Sequence, residues 1–140
     1  MKTLVIGFGN PLRRDDGVGP FVVGLLEPSA DLEVIACHQL TPEMAEAVSR
    51  AGRVIFIDAR ADLAPGEIAI EPVHPHASAL FHQFDPGTLL ACAAQLYGAA
   101  PEAFLAGVGA ESFELGETLS PAVEAAARKL PGMLNILAGL

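Results

Sequence analysis

The sequence has no tryptophan, a single tyrosine and two cysteines, and its 8 Lys and Arg residues face 17 Asp and Glu. Each shortage excludes something. A net charge of −9 with no basic run argues against nucleic-acid or anionic-membrane partners. Cys37 and Cys92 show neither CxxC nor zinc-ribbon spacing, so they are expected to be small buried filler. No apolar run reaches the length of a membrane span. Lys2 is followed by too few apolar residues for a signal peptide, and Arg13-Arg14 leads into acids where a twin-arginine signal needs a hydrophobic stretch. With 51% apolar residues and no polar low-complexity segment, residues 1–140 are expected to form a single globular domain, placed in the cytoplasm.

The usual catalytic signatures are missing too. Ser29, Ser49, Ser78, Ser112 and Ser120 all lie outside a Gly-x-Ser-x-Gly elbow, and there is no His-Glu-x-x-His. Neither cysteine sits on a loop beside a basic group that would lower its pKa. Gly7-x-Gly9 lacks the third glycine of a dinucleotide fingerprint, since Leu12 stands there, and the Gly-Lys-Ser/Thr of a P-loop is absent. Asp15 and Asp16 near a helix start would also repel a phosphate.

What the chain does contain is an alternation of strands and helices. Leu4-Val5-Ile6 reads as a buried strand, broken by Gly7-Phe8-Gly9-Asn10-Pro11, with a helix beginning near Gly17 on Val18, Phe21, Val22 and Leu25. Leu32–Ala36 is a second strand. Thr41-Pro42-Glu43 opens a helix with its stripe at Met44, Ala47, Val48 and Ala51, ended by Gly52. Arg53–Asp58 is apolar without interruption, the pattern of a central parallel strand. Glu67–Glu71 alternates, and the short turn before it suits an antiparallel edge. Residues 72–85 read as loop, Asp85-Pro86 starts a helix ended by Gly98, and Phe104–Val108 is the last strand. Ser120-Pro121 opens the final helix, which Pro131-Gly132 should break or kink. The expected fold is three-layer α/β/α, around a five-stranded, mainly parallel sheet with one antiparallel edge strand.

In such a sheet, sites form beyond the carboxyl ends of the strands. Asp16 and Asp58 fall at the ends of the first and third strands, and the loop at 72–85 adds His74, His76 and His82. Two carboxylates and one imidazole suit a borderline divalent ion and leave positions open for water or substrate. An aspartate in such a place is also a common cap or turn residue.

The opening Gly7-x-Gly9-Asn10-x-Leu12-x-x-Asp15-Asp16-Gly17-x-Gly19 resembles the hydrogenase maturation endopeptidases, which trim the C-terminal tail of nickel-iron hydrogenase large-subunit precursors. The resemblance continues through Gln39–Glu43, Ile57-Asp58-Ala59, Pro65-Gly66, His82 with Pro86, and Leu119-Ser120-Pro121. It implies a sheet flanked by helices and a protease acting on a precursor that already carries nickel. By position, Asp16, Asp58 and His82 match the family's nickel-contacting set, with Asp16 where relatives often have Glu. The family's histidine commonly follows Ser or Thr. Here Phe81 and Gln83 flank it, and His74 and His76 are its rivals. The resemblance further implies a resting enzyme without metal, nickel arriving with the substrate, and Asp15, Asn10 and Gln39 either orienting groups around the site or making turns.

Two other readings fit parts of the sequence. Peptidyl-tRNA hydrolases also open with Gly-x-Gly-Asn-Pro after a first strand, but that family expects an early histidine, and none precedes His38. A precursor-binding chaperone of the same fold would bind without cutting.

Overall fold

The computed structural model describes residues 2–76 and 84–138. Five strands, β1 (Thr3–Phe8), β2 (Leu32–Cys37), β3 (Arg53–Arg60), β4 (Ile68–Pro72) and β5 (Glu102–Gly109), form one sheet in the order β2-β1-β3-β5-β4. β2, β1, β3 and β5 run parallel, with Gly7 opposite Ala36 on one side and Ile57 on the other. β4 is the antiparallel edge, with Ile68 opposite Val108. The link from Arg60 to Ile68 is shorter than the dozen or more residues that a parallel crossover needs.

Helices α1 (Val18–Leu25) and α4 (Pro121–Ala138) cover one face of the sheet, and α2 (Ala45–Arg50) and α3 (Pro86–Tyr97) the other. Period-2 alternation along the strands divides the core accordingly. Val5, Ile55 and Ile57 meet Val22, Ala127 and Leu130 on the first face. Leu4, Ile6 and Phe56 meet Val48, Leu89 and Leu90 on the second. Val54, Ile55, Phe56 and Ile57 have no exposed surface, which is why β3 reads as an unbroken apolar run.

Local chemistry explains most element ends. Asp85 caps α3 by accepting from the Thr88 amide at 2.8 Å, Pro86 takes the first helical position, and Gly98 closes the helix at φ 77°. Thr41 makes no such side-chain bond. Pro42–Met44 is a 3-10 turn and α2 proper begins at Ala45. Arg14–Gly17 likewise forms a 3-10 turn ahead of α1. The expected break at Pro131 does not occur, and α4 runs through it. Val123, Ala127, Leu130 and Leu134 continue one buried stripe across the proline, and this burial outweighs the one backbone bond that its ring removes.

β1 is the point where the chain changes its direction of winding, with β2 to one side of it and β3 to the other. A crevice must therefore open between the carboxyl ends of β1 and β3. The start of α1 presses into those ends. A Cβ on Gly7 would lie 2.2 Å from the Gly19 carbonyl oxygen, and one on Gly19 would lie 2.6 Å from that of Ile57. Gly7→Ala should therefore destabilise the fold by about 2–3 kcal/mol, since the obstructing atoms are backbone and cannot rotate away. Urea unfolding of the variant checks this, and an unchanged midpoint would contradict the contact.

Candidate active site

Asp16 lies in the 3-10 turn after β1, and Asp58 near the end of β3 opposite Gly107. The loop between β1 and the turn folds back over Asp16. Gly9, at φ 146°, leaves no room for a side chain, because its Cβ would sit 1.9 Å from the Asp16 carbonyl oxygen. This fold-back delivers the Asn10 amide to Asp16 Oδ2 at 2.7 Å. The Asn10 side chain is engaged locally, accepting from the Leu12 amide at 2.9 Å, so it shapes the turn.

Asp16 and Asp58 are close enough for the charge of one to act on the other. Burial pushes the Asp58 carboxyl up to about 7; the Ala59 amide opposes this, the Asp16 charge adds to it, and Arg60 again opposes it. Near neutral pH Asp58 thus holds a proton that it readily gives up. Such a group can accept or deliver a proton in hydrolysis, or exchange it for an incoming cation.

Among the described residues, no histidine completes the set. His82 falls in residues 77–83, outside the described residues. His74 and His76 are exposed. The His76 amide donates to the Gly87 carbonyl at 3.1 Å and its Nε2 lies 3.6 Å from Asp85 Oδ2, which ties it to the start of α3. Among the described residues, no group of three or more His, Cys, Asp or Glu is arranged to hold a metal. A cation arriving here would meet two carboxylates, which suits an ion that brings other ligands with it.

Asp15 has a different task from its neighbour. It has no exposed surface. Its carboxylate accepts from the Glu111 and Ser112 amides at 2.9 Å each, from the Ser120 amide at 2.7 Å and from the Ser120 hydroxyl at 2.8 Å. Burial alone would raise its pKa, but these donors together hold it below the usual value. Asp15 therefore fastens the turn that carries Asp16 to the start of α4. The sequence offers one trace of this, a Ser-Pro helix start whose free amides attract an anion. Beside the site, a groove of about 300 Å³ is lined by Gly9, Pro11, Pro20, Ala36, Cys37 and His38. Cys37 is half-buried and its thiol is pushed up by burial, which fits a filler role.

No family model and no curated protein matches the chain. Solved structures do. The hydrogenase maturating endopeptidase HybD from E. coli superimposes with a TM-score of 0.79 at 23% identity, covering 98% of this chain and 91% of that one. The hydrogenase 2 maturation peptidase from Thaumarchaeota archaeon SCGC_AB-539-E09 gives 0.76 at 27% identity, with 100% and 99% covered. The chain has the fold of the hydrogenase maturation endopeptidases. The maturation protease HycI from Thermococcus kodakarensis, at 0.79 and 20% identity over 99% and 93%, shares the same architecture. The likeness thus runs along nearly the whole chain, as the spread of motifs from Gly7 to Pro121 implies.

The two kinds of aspartate should separate in a pH titration of stability. Asp15, with a depressed folded pKa, contributes stability that is present above its unfolded value near 3.8 and is lost as pH falls through the lower folded value. Asp58 acts in the opposite sense. Its folded form holds the proton more tightly than the unfolded chain, so its contribution falls as pH rises from about 4 to about 7. Asp15→Asn should cost ~2 kcal/mol at pH 7 by mismatching a buried acceptor set. Asp58→Asn should be more stable than the parent at pH 8, with the difference shrinking toward pH 4. Thermal melts at both pH values test the pair. A destabilised Asp58→Asn at pH 8 would mean that the carboxylate supports the fold.

Proposed function

We propose that the chain is an endopeptidase that removes the C-terminal extension of a nickel-iron hydrogenase large-subunit precursor after nickel insertion, and that it recognises the nickel carried by that precursor. The observation that carries this reading is the Asp16–Asp58 pair at the sheet's switch point, with Asp58 poised near neutrality, on a fold shared with named maturation proteases.

Asp16 and Asp58, with His82, are the residues proposed to meet the metal. Asp16, steadied by the Asn10 amide, presents its remaining oxygen lone pairs, while Asp58 can release its proton as a cation approaches. Substrate-borne nickel supplies the positive charge that would hold the precursor at the crevice and favour ionised carboxylates there. Asp58 is also the group best placed in pKa to take a proton from an attacking water or return one to the leaving amine. A site that supplies only part of a coordination shell discriminates loaded from empty precursor, because an empty precursor brings nothing to complete it. The resting enzyme is accordingly proposed to be metal-free, and its partner is the large-subunit precursor.

The deciding experiment compares nickel-loaded and nickel-free precursor, using enzyme treated with chelator and then desalted. Cleavage of the loaded form alone is expected. Equal cleavage of both would end the checkpoint mechanism, and cleavage of neither would end the protease reading. Asp16→Asn and Asp58→Asn should each slow cleavage by roughly 100-fold or more, since an amide keeps the size and loses the charge. Full activity in either variant would remove that residue from the site.

A further inference from the structure

Residues 110–119 leave β5 at the same edge as the site and form neither helix nor a named strand. Their backbone is nevertheless bonded to the site's own turn. The Arg14 amide donates to the Gly116 carbonyl at 2.9 Å and the Gly116 amide to the Leu12 carbonyl at 2.9 Å. Arg14 Nε reaches the Thr118 carbonyl at 3.2 Å, and Asp15 takes the Glu111 and Ser112 amides. Arg14 adopts φ 46° to make this pairing, a conformation that costs a non-glycine residue about 1 kcal/mol or more.

What this fastening displays is apolar. Leu115 is 81% exposed, Leu12 55% and Phe113 36%. The Leu12–Gly116 bond sets Leu12 beside the turn that carries Leu115. Folding gains nothing from three large apolar side chains held in water on a fixed support, and such patches mark protein contact sites. Around them Glu111, Glu114 and Glu117 are exposed on the loop itself, against Arg13 as the exposed cation of the facing turn. The loop and the turn bonded to it thus expose large apolar side chains among mainly acidic ones. A second copy of the chain is a poor occupant, since a two-fold contact would set these glutamates against themselves. Charge complementarity favours a basic rim around an apolar centre.

We propose that Leu12, Phe113 and Leu115 form a docking surface for the folded body of the protein substrate, which meets it with an apolar patch flanked by lysine or arginine. This rests on reading the chain as a protease that acts on a protein. The substrate's tail then reaches Asp16 and Asp58 while its body is held beside them, one turn away along the same backbone. Docking of this kind requires no nickel, so it separates holding the substrate from inspecting its metal.

The test uses the full chain with Leu12→Ser and Leu115→Ser combined, and Ile136→Ser as control. Ile136 is 85% exposed and lies roughly 22 Å along α4 from its start. Titration against nickel-free precursor should show binding weakened at least tenfold in the double variant and unchanged in the control. With nickel-loaded precursor, KM should rise by a similar factor while kcat and the melting temperature hold. A second variant, Glu114→Lys with Glu117→Lys, should weaken binding and reduce its salt dependence. Unchanged binding and KM in both variants would overturn the proposal. So would concentration-dependent self-association that the leucine substitutions abolish, because the surface would then serve a second copy. If wild-type enzyme cuts no precursor yet binds it through Leu12 and Leu115, the docking surface stands and the protease reading falls.

Discussion

Removing the Asp15 carboxylate from water without matching donors would push its pKa up and its charge off. Two backbone amides from residues 111 and 112, with the amide and hydroxyl of Ser120, prevent this. Because those donors lie about a hundred residues further along the chain, satisfying one charge fixes three elements at once: the turn after β1, the loop after β5 and the first turn of α4. The position of Asp16, one residue on, follows from that fixation. So does the presentation of Leu12 and Leu115, which stand on the two strands of backbone that Asp15 ties together.

Neighbouring carboxylates in this edge thus take opposite roles from their surroundings. Asp15 has donors for its charge and is held below the usual range. Asp58 is half-buried with few donors and feels the charge of Asp16, so it stands near neutrality. One ionised acid builds the edge and another, easily protonated, is available for chemistry there. The division between structure and function falls between adjacent elements of the same crevice.

Much of this arrangement was legible in the residues. The continuous apolar run of β3, the alternation of β4 and the glycines after β1 predicted a mainly parallel sheet with one antiparallel edge, and the sheet has that form. The glycine spacing carried more than turn chemistry, since Gly7 and Gly19 are needed where strand and helix backbones touch. Placing Asp16 and Asp58 at neighbouring strand ends followed from the same reading, because β1 and β3 are adjacent. The chain does not break at Pro131, since a local rule about one ring cannot weigh a buried stripe that spans it.

Sequence alone therefore determined the order of elements, their layering and which acids reach the carboxyl edge, because periodicity and turn residues act over a few positions. Only the tertiary structure decided that Asp15 is a fastener while its neighbour Asp16 is placed beside Asp58. Asp15 and Asp16 are identical in type and adjacent in the chain, and nothing local distinguishes them. What separates them is the company that the fold supplies: distant amides from residues 111, 112 and 120 for one, and the Asn10 amide and the charge of Asp58 for the other. A carboxylate's charge depends on the donors, dielectric and charges within a few ångströms of it, and here those come from elements far away in sequence.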